Sequence, residues 1–388
     1  MSVHELALQR NKYKHLSDDE WRWFLQQVEG RERTADKLPT FAAIDDWWYP
    51  VRLSCEQCSS EMTAKYKAEI ILPQIEQIGQ ISNFVDLTGG YGVDTYFLSE
   101  HFDHTDYVEQ NAELCRIAEH NKGLWVTGYG LRDISIHNNS AEEFLETAGQ
   151  YDLIFLDPAR RDSHGGKVFR LEDCTPNVVE LLPTLLSHGK QILLKLSPML
   201  DLTQAVTSLS QVTWDIHVVA IKNEVKEVLL LSGGTDKITA IDLAAPKQAF
   251  VFTREEESNS VSGLTAQAVC QCNDLLGAAG LYLYEPNAAI LKSGAYKLVA
   301  QRFGLTKLDV NTHLYVSDTL VPNFPGRVWK IANSQEPRAK SQANVLVRNY
   351  PLTAEQLKKK LHLRDGGERF IIGCRVNGKP VLFEAERV

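Results

Sequence analysis

The stretch FVDLTGGYGVDTYFLS, Phe84–Ser99, decides how the chain is read. A short apolar run ends in Asp86, a turn follows with glycines at 89, 90 and 92, and an apolar-periodic segment begins at once. The pattern is strand, tight loop, helix. Such a loop lets backbone amides and the helix start come close to a polar ligand. It is not a P-loop, since no Gly-Lys-Ser/Thr follows. It also departs from the dinucleotide fingerprint, because Thr95 stands at the third glycine position.

The flanking acids narrow the ligand further. Asp86 ends its strand just before the glycines, where its charge repels a pyrophosphate and holds an ammonium. Glu109 ends the next strand, where a carboxylate can accept both ribose hydroxyls. A ribose, an amino group and no phosphate together describe S-adenosylmethionine. The bland alternative is a tight strand–helix turn with two incidental acids.

Around this loop, from about Tyr66 to Gly234, apolar runs alternate with amphipathic segments, the pattern of a parallel sheet covered on both faces. The runs are NFVDL, DYVEQ, ISIHN, YDLIFLD, QILLKLS, WDIHVVAI and EVLLLSG. Only KNEVK separates the last two. A parallel crossover needs a dozen or more residues, so these two strands form an antiparallel hairpin.

Residues 1–65 read as helical. SDDEWRWFLQQVEG opens with a capping box, Ser17 to Glu20, and sets Trp21, Phe24, Leu25 and Val28 on one face. The chain of 388 residues is long enough for two or three domains. No stretch approaches the roughly 18 apolar residues of a membrane span, and MSVHELALQRNKYKH lacks an apolar signal core, so a cytoplasmic protein is expected. The seven cysteines fit reduced thiols. Cys55 and Cys58 have zinc-ribbon spacing without a second pair nearby, and Cys270 and Cys272 could complete a set only across a long gap, so no metal is expected.

Net charge is −9 overall, but from Pro286 to Val388 nine lysines and eight arginines face three aspartates and five glutamates. That segment therefore carries +9 and the remainder −18. A basic module on an acidic body suggests an anionic partner, with a solvated surface as the plain alternative.

The order Asp86-x-x-x-Gly90-x-Gly92, Glu109, Asn139-Ser140 after a third strand, Asp157-Pro158 after a fourth, and a terminal antiparallel hairpin resembles the class I SAM-dependent methyltransferase fold. The resemblance covers roughly residues 66–234 and implies a Rossmann-like α/β sheet of seven strands with an antiparallel last strand. The whole chain further resembles a bacterial methyltransferase family with a THUMP-like C-terminal domain, through EQCSSEMTAKYKA, EPNAAILKSGAYKLVAQRFGL and HLYVSDTLVPNFPGRV. It implies an N-terminal helical region (1–65), a methyltransferase domain (66–235), a small ferredoxin-like unit (240–285) and a THUMP-like α+β module (286–388). THUMP domains in related enzymes bind structured RNA, often tRNA.

By this resemblance Asp86, Thr88 and the amides around Gly90 and Gly92 hold the methionine end, Glu109 the ribose, and Asn139 and Ser140 lie by the adenine. Ser140 also makes a capping box with Glu143. In YDLIFLDPARRD, Tyr151–Asp162, the carboxylate of Asp157 sits at the open edge of the sheet, and Pro158 stiffens the turn and leaves carbonyls free. Asp157 can hold an acceptor amine's hydrogens while its lone pair faces the methyl group. Base amino-methyltransferases usually have a second proline and an aromatic here. Ala159 and Arg160 stand instead, and Arg160 and Arg161 can stack on a base or hold a phosphate, or merely pair with Asp162. Carbon methylation of RNA needs a cysteine, and Cys174 falls in a loop or helix start. Lys65 and Tyr66, with Ser59 and Glu61, are candidate rim residues, unless their segment is an ordinary amphipathic helix.

The expected activity is methyl transfer from S-adenosylmethionine to a nucleotide of tRNA or rRNA, at a base nitrogen rather than carbon. The alternatives are a catalytically silent RNA-binding protein that keeps the fold, and a methyltransferase for a protein or small molecule.

Overall fold

The computed structural model describes residues 3–78, 83–127, 130–131, 133–160, 170–260, 280–333 and 342–388. The chain forms two compact units. The first comprises Met1–Trp214 with Leu229–Gly233, the second Asp215–Val228 with Gly234–Val388.

In the first unit helix α1 (Asp18–Thr34) starts with the expected capping box, Ser17 Oγ accepting the Glu20 amide and Glu20 accepting the Ser17 amide. Helix α2 (Glu61–Ile78) leads to strand β1 (Asn83–Asp86). Strands β2 (His104–Val108), β3 (Asp133–His137), β4 (Tyr151–Leu156) and β5 (Gly189–Leu196) follow, each after a helical crossover. All neighbours pair in parallel, in the order β3-β2-β1-β4-β5. Every residue of β4 is buried, as a strand covered on both faces requires. Residues 1–65 are not a separate body. Phe41, Trp47 and Tyr49 share one core with Tyr91, Tyr96 and Trp125 of the sheet layer, and Trp47 Nε1 donates to the Tyr91 hydroxyl at 2.9 Å.

The second unit begins with Asp215–Val228, most of the terminal hairpin, whose remaining residues belong to the first unit. Strands β6 (Trp214–Ile221) and β7 (Glu224–Ser232) are neighbours joined by Lys222 and Asn223, both at positive φ (51° and 65°). A two-residue turn of this kind matches the right-handed twist of antiparallel strands. The backbone amides of Lys222 and Asn223 donate to the Asp242 carboxylate at 2.9 and 2.6 Å, which fixes the turn. Strand β8 (Lys237–Asp242) pairs with β6 in parallel, and β9 (Phe250–Thr253) pairs with β8 antiparallel. The strands at the start of the expected 240–285 unit thus extend the hairpin's sheet.

A second, seven-stranded sheet is built from β10 (Tyr282–Pro286), β11 (Thr306–Lys307), β12 (Tyr315–Ser317), β13 (Gly326–Asn333), β14 (Asn344–Arg348), β15 (Arg369–Val376) and β16 (Lys379–Arg387), in the order β11-β12-β10-β13-β16-β15-β14. Leu283, Trp329, Ile372 and Phe383 form its core. Its helix, Ala354–Leu361, starts with the expected cap, Thr353 and Gln356 satisfying each other's backbone. Among the described residues no helix is long and apolar enough to cross a membrane.

The loop after β1 depends on one close approach. A Cβ at Gly89 would lie 2.2 Å from the Tyr107 ring, and that ring is pinned because its hydroxyl donates to the Gly90 carbonyl at 2.6 Å. Gly89→Ala is expected to lower the urea midpoint, with a cost of about 1–3 kcal/mol from overpacking. An unchanged midpoint would mean that the ring can move.

Candidate functional site

The carboxyl ends of β1, β2 and β4 open into a cleft of about 270 Å³ in the first unit. Its walls include Asp86, Thr88, Gly90, Glu109, Asn139, Ser140 and Asp157, all expected there from the sequence. Parallel strands of staggered length bring their ends to one edge of the sheet, which is where open α/β folds bind ligands.

The glycine loop turns at Gly90 and Gly92, with φ of +57° and +81°. Glu109 Oε2 accepts the Gly90 amide at 2.9 Å and Oε1 the Asn111 amide at 2.8 Å. A carboxylate offers about four acceptor positions, so both oxygens keep capacity toward the cleft. Gly92 lies behind the loop, 3.4 Å from the Trp125 ring by its Cβ position, and turns the chain into helix α3 (Val93–Leu98). It does not line the cleft. Ser140 caps the helix Ala141–Leu145 and also lines the cleft.

Asp86 is 1% exposed. The Thr95 hydroxyl donates to its Oδ2 at 2.6 Å and the Thr88 amide to its Oδ1 at 3.0 Å. Burial nevertheless pushes this carboxyl up to about 7, helped by the nearby charges of Asp94 and Asp157. Thr88 also links two strands, since its Oγ1 accepts the Asp157 amide at 2.7 Å.

Asp94, on α3, is also buried but has the opposite fate. Burial raises its carboxyl, yet Lys67 and Lys195 outweigh that and hold it well below the usual range. Lys67 Nζ lies 3.1 Å from Oδ1, and Lys195 Nζ 3.4 Å from Oδ2, where the Ser59 hydroxyl also donates at 2.7 Å. Lys195 reaches on to Asp157 Oδ2 at 2.5 Å.

Asp94, Lys67 and Lys195 escaped the sequence reading. Lys195 had a signal, being the one charge inside QILLKLS. The helix phase also corrects the rim. Lys65 points outward and pairs with Glu61 at 2.6 Å, Glu61 is held by Thr40, and Tyr66 is buried. Neither Lys65 nor Tyr66 lines the cleft, whereas Ser59 does and Lys67, two residues on, is fully buried against Asp94.

Pro158 is outside the lining. The Arg160 backbone pairs with Cys174 in a two-residue ladder, and Arg161 and Asp162 lie outside the described residues. Cys174 is buried, with Sγ 3.6 Å from the Arg170 carbonyl, and does not reach the cleft. Cys55 and Cys58 spend their thiols on carbonyls, of Pro50 and of Cys55, and burial raises both thiols, Cys55 to about 12. Cys270 and Cys272 lie outside the described residues. Among the described residues no group of three or more side chains is placed to hold a metal ion.

The cleft therefore collects carboxylates, and Lys195, the lysine in its wall, already bridges two of them. That donor set fits a cationic ligand bearing hydroxyls and does not fit a polyphosphate. Asp86 would take the ammonium of S-adenosylmethionine and Glu109 its ribose.

Comparison with known proteins adds an independent line. A ferredoxin-like domain model matches residues 282–325, beginning near the end of the 240–285 range expected for it, and a THUMP-like model matches 330–387. The crystal structure of a candidate methyltransferase from Porphyromonas gingivalis W83 superposes with a TM-score of 0.80 at 32% identity, covering 96% of this chain and 92% of that one. Over 233 residues the chain is 24% identical to S-adenosylmethionine-dependent methyltransferases, described as uncharacterized, from two strains of Mycobacterium tuberculosis, CDC 1551 / Oshkosh and H37Rv. That match spans 58% of this chain and 60% of the relatives' length.

Two outcomes follow from the two acids. An ammonium binds the ionised form of Asp86, so affinity for S-adenosylmethionine is expected to rise several-fold from about pH 6 toward pH 8 and to fall above that, where the ligand's α-ammonium loses its own proton. Calorimetry across that range should show the rise, and Asp86→Asn should abolish it; a flat wild-type profile would remove Asp86 from the ammonium site. Glu109→Ala is expected to weaken the same affinity at least about tenfold through loss of charge-assisted hydrogen bonds, and unchanged affinity would refute the ribose assignment.

Proposed function

The chain belongs to the class I SAM-dependent methyltransferase family with a C-terminal THUMP-like domain, and from that premise we propose that it methylates a nucleotide of structured RNA, tRNA or rRNA, in the cytoplasm. The observation that carries the cofactor half of this reading is the pairing of Asp86 and Glu109 around the glycine loop, in a cleft whose lysine is already engaged.

Bound S-adenosylmethionine supplies a sulfonium methyl: the acceptor nitrogen's lone pair forms the new bond to carbon, sulfur keeps the electrons of the broken bond, and the nitrogen's surplus proton leaves to solvent. The protein's share is placement. Asp86 and the Gly90 turn hold one end of the cofactor and Glu109 its sugar. Asp157, on the neighbouring strand, accepts an N–H of the acceptor and so aims its lone pair. A base nitrogen is preferred over carbon as acceptor because its lone pair can take the methyl group without a thiol nucleophile: Cys174 is buried away from the cleft, and Cys58, the thiol that lines it, is raised by burial and donates to the Cys55 carbonyl.

RNA as the partner rests on the THUMP-like match at 330–387 and on the +9 balance of residues 286–388. The lysine run 358–360 on the helix Ala354–Leu361 adds a local concentration of positive charge. Arg160 and Arg161 are proposed to hold the target nucleotide.

The test is transfer of labelled methyl to total RNA from a strain lacking the gene, followed by separation by size and nucleoside mass spectrometry. Label in tRNA or rRNA on a base nitrogen is the expected result. Cofactor binding without label would favour a silent RNA-binding protein, or an enzyme for a protein or small-molecule acceptor.

A further inference from the structure

Asp157 is the member of the acceptor side that most needs restraint. Its side chain is 38% exposed, while those of Asp94 and Lys195 are 9% and 11% exposed and that of Lys67 is fully buried. A half-exposed carboxylate at the end of a strand can rotate into water. Lys195 opposes that rotation, with Nζ 2.5 Å from Asp157 Oδ2.

The lysine is itself held from behind. Asp94 receives Lys195 on one oxygen and Lys67 on the other, and Ser59 bridges Lys67 and Asp94 at 3.2 and 2.7 Å. Charges alternate along the series Asp157, Lys195, Asp94, Lys67, so the four groups sum to zero and each has an opposite charge beside it. Asp94 belongs to the helix that follows the glycine loop, and Ser59 and Lys67 to the segment before β1. The network therefore ties the acceptor carboxylate to the same loop that shapes the cofactor end.

We propose that Lys195 is a positioning residue for methyl transfer, which fixes the Asp157 carboxylate against the acceptor and is itself fixed by Asp94. This role rests on the methyltransferase reading. Lys195 pairs with Asp94 and with Asp157, on the side of the cleft proposed for the acceptor. Its loss should thus leave cofactor binding in place and misplace the acceptor, and misplacement by about an ångström costs on the order of a hundredfold in rate.

The experiment combines two readouts on the full chain. A double-mutant cycle of Lys195→Met and Asp157→Asn, followed by urea unfolding, should show coupling of at least about fivefold in the unfolding equilibrium constant. With RNA as acceptor, Lys195→Met should lower kcat by roughly a hundredfold with little change in KM for S-adenosylmethionine, and Lys195→Arg should restore most of it. If Lys195→Met does not fold, Lys195→Gln against Lys195→Arg makes the same comparison. Absence of coupling would overturn the pairing itself. Coupling with wild-type kcat in the variants would overturn the positioning role. Coupling in a wild-type chain that transfers no methyl to any acceptor would overturn the methyltransferase reading, and the role with it.

Discussion

The whole site hangs on how closely the chain passes over Tyr107. Gly89 lies against the ring and the ring's hydroxyl holds the Gly90 carbonyl. Only a residue without a Cβ can lie so low, and only then does the Gly90 amide come within 2.9 Å of Glu109. The loop, the end of β2 and the start of α3 are thereby set as one piece. Thr88 extends the piece sideways, taking the Asp157 amide onto its hydroxyl. The loops after β1 and β4, distant in sequence, are thus joined by one side chain.

Much of this was legible because it is local. The strand ending at Asp86, the glycines and the acid at the end of the next strand lie within 26 residues, and their spacing alone sets the backbone geometry. The hairpin was legible for a steric reason, since a connection as short as Lys222-Asn223 permits only antiparallel return. What escaped was the charge network. Lys195 and Asp94 stand 101 positions apart, and nothing in either neighbourhood says that they meet. The rim candidates include Lys65 and not Lys67, because sequence spacing does not give helix phase until the buried face is known. Sheet membership past the hairpin is hard to read for a related reason: a strand such as Lys237–Asp242 looks the same whether it starts a new sheet or extends β6, and only its partner decides.

The second unit contains an ion group of similar design in a different setting. Glu285 is buried and accepts from both Arg327 and Arg348, on strands β13 and β14. There the carboxylate is enclosed and the guanidiniums lead outward, at 29% and 40% exposure. A buried acid with two partly exposed arginines leaves positive charge near the surface while satisfying the interior. The basic balance of residues 286–388 is therefore compatible with a packed core, because part of it is anchored on an internal carboxylate.

The two buried aspartates of the first unit show how sequence places charge for a ligand. Asp86 and Asp94 are eight residues apart and similarly enclosed, so burial raises both carboxyls. Asp94 has two lysines and is held ionised; Asp86 has hydroxyl and amide donors and neighbouring negative charge, and its proton stays on to about 7. Had a lysine stood beside Asp86, the cleft would be neutral at that point and a cationic ligand would gain nothing there. Because the protein withholds that cation, the compensating charge has to come from what binds. A positive ligand is drawn to Asp86 and not to Asp94, and one of the two lysines that hold Asp94 ionised, Lys195, also pairs with Asp157. One pair of acids, solvated differently by their own chain, thus gives the cleft one carboxyl left without a cation and another already neutralised by lysines.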